Sequence, residues 1–135
     1  MAIEKPLPLR NSLQALFAHL QTEAELMRIM RCFYARMAAD PMLGFFFANK
    51  NILAVADQQS RFMLRAMGRS ESYSGLPPAQ AHAQLPPILP GHFDRRAVLL
   101  RQTLTQEKIP APLIEAWISF EAAFRDAIVK DSKES

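Results

Sequence analysis

Phe33-Tyr34-Ala35-Arg36-Met37-Ala38-Ala39-Asp40-Pro41-Met42-Leu43-Gly44-Phe45-Phe46-Phe47 is the stretch on which the reading of this chain turns. Its first half continues a helical stripe made by Leu26, Ile29, Met30, Phe33 and Met37. Tyr34 falls four residues after Met30 and three before Met37, so a polar ring sits on the apolar face. Asp40-Pro41 ends the helix near Ala39 and opens a short helical turn that carries the three phenylalanines. Upstream, Thr22-Glu23-Ala24-Glu25 has the spacing of a capping box. Before it, Asn11 is placed to cap a first helix with Leu13, Leu16, Phe17 and Leu20 inward. Residues 1–10 read as a loose arm, with prolines at 6 and 8.

Downstream, a helix is expected from about Asn51 to Met67, stopped by Gly68. Its face of Ile52, Val55, Ala56, Phe62, Met63 and Ala66 is interrupted by one amide, Gln59. Residues 69–78 read as a loop and Ala79 to Leu85 as a short helix holding His82, before Pro86, Pro87 and Pro90 break the chain. A helix from near Gly91 directs Phe93, Ala97, Leu100 and Leu104 inward. After Ile109-Pro110-Ala111-Pro112, one last helix aligns Leu113, Trp117, Phe120, Phe124 and Ile128, and residues 130–135 fray. No strand alternation competes, so the class is all-α, one domain over 1–135.

Composition narrows the function. Half of the 135 residues are apolar and 21% are charged, as in a globular chain. The net charge of +3 comes from scattered residues, and Arg95, Arg96 and Arg101 have no aromatics between them. No nucleic-acid partner is therefore expected. Met1 to Pro6 carries an acid and does not read as a signal peptide, and no apolar run is long enough to span a membrane. A single cysteine, Cys32, excludes an intrachain disulfide, and a cytoplasmic setting is expected. Its mid-helix position among apolar residues reads as core.

A polar group on an apolar face needs a partner. Tyr34 and Gln59 either bond each other in the core or face a ligand. His82 is a packing histidine or a metal ligand. No His-x-x-x-His pair or carboxylate cluster accompanies it, so a metal held there needs a cofactor to supply the other ligands, as haem does. No phosphate loop, Gly-x-Ser-x-Gly or Cys-His signature is present.

The ordered set Phe33-Tyr34, Asp40, Leu43-Gly44-Phe45-Phe46-Phe47, Gln59, Phe62, Gly68, Tyr73-Ser74-Gly75, Ala81-His82 and His92-Phe93-Asp94 resembles the truncated haemoglobins, most closely group I. The resemblance implies a two-over-two helical sandwich. It implies haem b (iron protoporphyrin IX) with His82 as iron ligand, and Tyr34 with Gln59 as the distal pair that stabilises a bound ligand. Phe47, Val55, Phe62, Met63, Tyr73 and Phe93 would then contact the cofactor, with Tyr73 reaching a propionate. Val55 cannot ligate iron, and His19 and His92 are expected outside the pocket. Relatives often carry Val or Trp where Arg96 stands, so Arg96 either snorkels outward or adds a cation to the pocket.

The function implied is reversible binding of O₂, NO, CO or similar small ligands. NO dioxygenation with a separate reductase, peroxidase-like chemistry and sulfide binding stay open. The alternative is a haem-free globin-fold module that acts by protein contact.

Overall fold

The structure is a computed structural model in which residues 9–68 and 87–129 are described, without the side chains of Leu9 and Arg10. The expected loop 69–78, the short helix with His82, Tyr73, most of the N-terminal arm and the tail 130–135 lie outside the described residues.

Helix α1 (Leu9–Leu20) starts two residues ahead of Asn11, which sits in its first turn instead of capping it. Its stripe of Leu13, Leu16, Phe17 and Leu20 is buried as expected. Helix α2 (Glu23–Ala39) is capped by Thr22, whose side chain accepts from Glu25 N at 3.1 Å. The Glu25 carboxylate, expected to reach back to the cap, turns instead to Arg28, which also reaches Glu107 at 2.5 Å. Leu26, Ile29, Met30, Phe33, Tyr34 and Met37 are buried. Cys32, expected in the core, is exposed. Helical spacing sets it beside Arg28 and Ala35 on the outer face, although Met30 and Phe33 close to it in sequence are buried.

Asp40 ends α2 and organises the turn after it. One carboxylate oxygen accepts from Met42 N at 3.0 Å and Leu43 N at 3.2 Å. The other accepts from Arg95 Nε at 3.0 Å and Nη2 at 2.7 Å. The buried acid is thereby satisfied, and it ties the end of α2 to a later helix. A 3₁₀ turn (Gly44–Phe47) carries the phenylalanines. A Cβ on Gly44 would lie 2.7 Å from the Ala38 carbonyl oxygen, so glycine permits this turn to lie against the end of α2.

Helix α3 (Ile52–Ala66) is capped by Asn51 through Ala54 N at 3.1 Å, and Gly68 follows with φ +76°. Helix α4 (Pro90–Gln106) begins on a proline, whose missing N–H costs nothing there. Helix α5 (Ala111–Ala122) and a single turn, α6 (Arg125–Ile128), replace the one final helix expected. The chain tightens at Ala123 and Phe124, and Val129 then meets Ile88 in an isolated parallel bridge. Leaving the axis of α5 lets the chain reach that bridge while the Phe124 ring keeps edge contacts with Phe62 and Phe120.

Helix α2 packs on α3 and on α4, and α5 packs on α1 and α4. One core runs through these layers, with Trp117, Phe33, Leu16, Leu100 and Leu104 among its fully buried members. No helix of the described residues is long and apolar enough to cross a membrane.

Candidate functional site

Between α2, the 3₁₀ turn, α3, α4 and the end of α5 lies a cavity of about 500 Å³. That size falls within the roughly 300–1,000 Å³ typical of ligand and cofactor sites. Each described residue that the sequence assigns to the pocket lines it: Tyr34, Phe47, Val55, Gln59, Phe62, Met63 and Phe93. His82 and Tyr73 fall outside the described residues.

The walls are mostly apolar because the elements present their ring-bearing faces to one space. Phe47 meets Tyr34 edge-on at 5.9 Å between centroids. Phe62, Phe120 and Phe124 close another side as a cluster with centroids 5.3 to 5.8 Å apart.

Tyr34 is 5% exposed, and its hydroxyl accepts a bond from Arg96 Nη2 at 3.3 Å. Among the described residues no bond joins it to Gln59, so the expected tyrosine–glutamine pair is not formed. Arg96 takes the place of Gln59. Its other terminal nitrogen donates to the Glu121 carboxylate, and its guanidinium lies 5.0 Å from the Phe33 ring centroid. Arg96 therefore faces the cavity and does not snorkel outward.

The cluster sets the charges of its members. Burial pushes the Tyr34 phenol above its ordinary pKa, against the pull of the Arg96 charge, and Glu121 adds to the rise. Tyr34 is thus a neutral O–H donor at neutral pH. Burial works against the Arg96 cation, but Glu121, Tyr34 and the hydrogen bonds outweigh it, and its pKa rises. Because the Tyr34 oxygen accepts from Arg96, its own proton is available to a ligand in the cavity.

His92 lines the cavity, contrary to expectation. Its ring lies edge-on to Phe45 and Phe46, and its Nδ1 accepts from Leu89 N at 3.0 Å. In the neutral ring the proton then sits on Nε2, so an iron bond at Nε2 and this cap exclude each other. His19 lies at a separate depression with Glu25 and Glu107. Among the described residues no group of three or more His, Cys, Asp or Glu could hold a metal ion.

Sequence reasoning missed Glu121 and Lys50, both of which line the cavity. Glu121 follows Phe120 on the final helix, and its spacing from Trp117 and Phe124 is the signal that could have found it. Lys50 lies on the turn after Phe47.

Residues 15–130 match the bacterial-like globin family, and the chain belongs to that family. Its fold is that of the two-over-two globins. The 2/2 hemoglobin from Synechococcus sp. PCC 7002, in the cyanomet state with covalently attached heme, is 24% identical. That match covers 84% of this chain and 97% of the other, with a TM-score of 0.73. The truncated hemoglobin from Tetrahymena pyriformis, in the Fe(III) form, is 22% identical over 84% of this chain and 97% of that one, with a TM-score of 0.76. No curated protein sequence matches the chain significantly.

Proposed function

We propose that this globin binds haem b and reversibly takes up O₂ and other diatomic ligands. The observation that carries the reading is a mostly apolar cavity of about 500 Å³ with one buried, uncharged phenol donor in its wall. The residues present fit a porphyrin. Phe47, Phe62, Met63, Val55 and Phe93 offer apolar surface, and Lys50 offers a cation to a carboxylate. His82 is the proposed iron ligand and Tyr73 a proposed propionate contact, both by resemblance to the family.

When bound, the haem iron supplies a coordination site for O₂, NO or CO. The chain's own residues do the rest. Tyr34 donates its proton to a ligand that carries partial negative charge, and Arg96 fixes where that proton points. The phenylalanine cluster excludes water from the cavity's apolar side. One such donor bond contributes about 1–2 kcal/mol, roughly ten- to thirtyfold in ligand dissociation. With a separate reductase the proposed reaction is NO dioxygenation, in which O₂, NO and one electron give nitrate.

The test is haem reconstitution followed by absorbance spectra, ferric and then dithionite-reduced, beside His82→Ala. A Soret band and a five-coordinate ferrous form, altered in the variant, are expected. A chain that takes up no haem overturns the reading, and a variant with an unchanged spectrum removes His82 from it.

A further inference from the structure

One wall of the cavity is held less firmly than the others. Helices α2, α3 and α5 meet it with buried residues, among them Tyr34, Met63 and Phe120. The single turn α6 meets it with Ile128, and Phe124 lines it just before that turn. No residue of α6 is buried. Among the described residues, α6 has no packing partner comparable to those of α1 to α5. A segment with few buried apolar contacts sits at the low end of local stability.

Two features join α6 to the start of α4 across the cavity. Val129, directly after α6, pairs with Ile88 in the isolated parallel bridge. The Arg125 guanidinium lies 6.0 Å from the Phe93 ring centroid, at the outer limit of a cation–π contact. Ile88 and Phe93 line the cavity themselves, so these ties close it on that side. At the other end of α6 the helix is interrupted. The Ala123 N–H is shared between the Ser119 and Phe120 carbonyls, at 3.2 and 3.3 Å. That break uncouples α6 from α5, whose Trp117 and Phe120 stay in the core.

We infer that α6 is a hinged flap, latched by the Ile88–Val129 bridge, through which the cofactor enters and leaves. A porphyrin is a rigid plate, and close-packed helices part for it only by disrupting the core. Lifting α6 moves no buried residue of its own. Opening separates Val129 from Ile88 and takes Ile128 off the cavity while α2 to α5 stay packed. The inference rests on the haem reading for what passes, and on the chain alone for the motion.

The test uses the full chain with Cys32→Ser, Ile88→Cys and Val129→Cys. Paired strands lie about 4.7–4.9 Å apart, within the roughly 4.4–6.8 Å Cα separation that a disulfide spans. The protein is loaded with haem while reduced and then oxidised, with the bond checked by mass spectrometry. Loss of ferric haem to excess apomyoglobin, followed by the Soret band, is expected to slow about tenfold or more on oxidation and to recover on reduction. Arg125→Ala, without the cysteines, should speed the loss severalfold. Hydrogen exchange supplies a readout that needs no haem. The amides of Ala127, Ile128 and Val129 should exchange about a hundredfold faster than those of Leu100 and Leu104. The disulfide should slow them about tenfold.

Equal haem loss before and after oxidation overturns this route and leaves the haem reading standing. Amides of α6 as slow as those of α4, or cysteines that do not pair, overturn the latched flap itself. An unchanged rate in Arg125→Ala removes Arg125 from the latch. A reduced chain with no Soret band, whose α6 amides still respond to the disulfide, overturns the haem reading and keeps the motion.

Discussion

Arg96 Nη2 lies 3.3 Å from Tyr34 Oη, joining residues 62 positions apart at the cavity wall. The phenol that would meet a ligand is oriented by a cation, where the sequence suggested an amide. In the haem-loaded protein Tyr34→Phe should raise the O₂ dissociation rate about tenfold or more, since one donor bond is lost. Gln59→Leu should raise it distinctly less, because Gln59 makes no bond to the phenol. Stopped-flow displacement of O₂ by CO measures both, and equal rates in the two variants would contradict this assignment.

Acid should loosen the junction at Asp40. Hydrogen bonds from Arg95, followed by those from the Met42 and Leu43 N–H groups, hold its pKa below the usual carboxylate value despite opposing desolvation. A depressed folded pKa gives stability that is present above the unfolded value of about 3.9 and lost as pH falls through the folded one. Thermal melts by circular dichroism should therefore drop below about pH 4. Asp40→Asn should melt several degrees lower at pH 7 and show a shallower fall in acid. Parallel pH profiles for the two proteins would count against the role of Asp40.

Gly44→Ala should destabilise the fold by about 1–3 kcal/mol, a cost typical of forcing extra volume into a packed site. The added carbon would meet the Ala38 carbonyl oxygen, which belongs to backbone and cannot swing aside as a side chain could. Urea unfolding with an unchanged slope and a lower midpoint is the expected result.

Burial should separate two leucines. Leu100 is fully buried, whereas Leu53 is 55% exposed. Leu100→Ala should cost about 2–5 kcal/mol through lost transfer energy and a residual cavity. Leu53→Ala should stay within roughly 0.5 kcal/mol. The same urea titration compares them.

Local signals make much of this fold legible in the sequence. Thr22, Asn51 and Gly68 act within a few residues of themselves, so the limits of α2 and α3 follow from composition and spacing. The stripe of α2 locates Tyr34 correctly, since a helix puts every third or fourth residue on one face. Legibility ends where partners are distant. Helical spacing shows that Tyr34 and Gln59 both point inward, but not that Arg96 reaches the phenol first. The role of Glu121 depends on how α5 lies against α4. Cys32 misleads because the buried Met30 and Phe33 close to it in sequence hide its angular position on the helix. The final helix reads as continuous because Phe120, Phe124 and Ile128 keep the helical period across the break.

The Tyr34, Arg96 and Glu121 cluster draws one side chain from each of α2, α4 and α5. No pair of neighbouring helices can assemble it alone. It is complete only when all three helices have docked. A cofactor that needs the finished wall would then bind only the fully assembled chain and draw the population toward it by mass action. Colour acquired during refolding would report the docking of α5, separately from the helical signal.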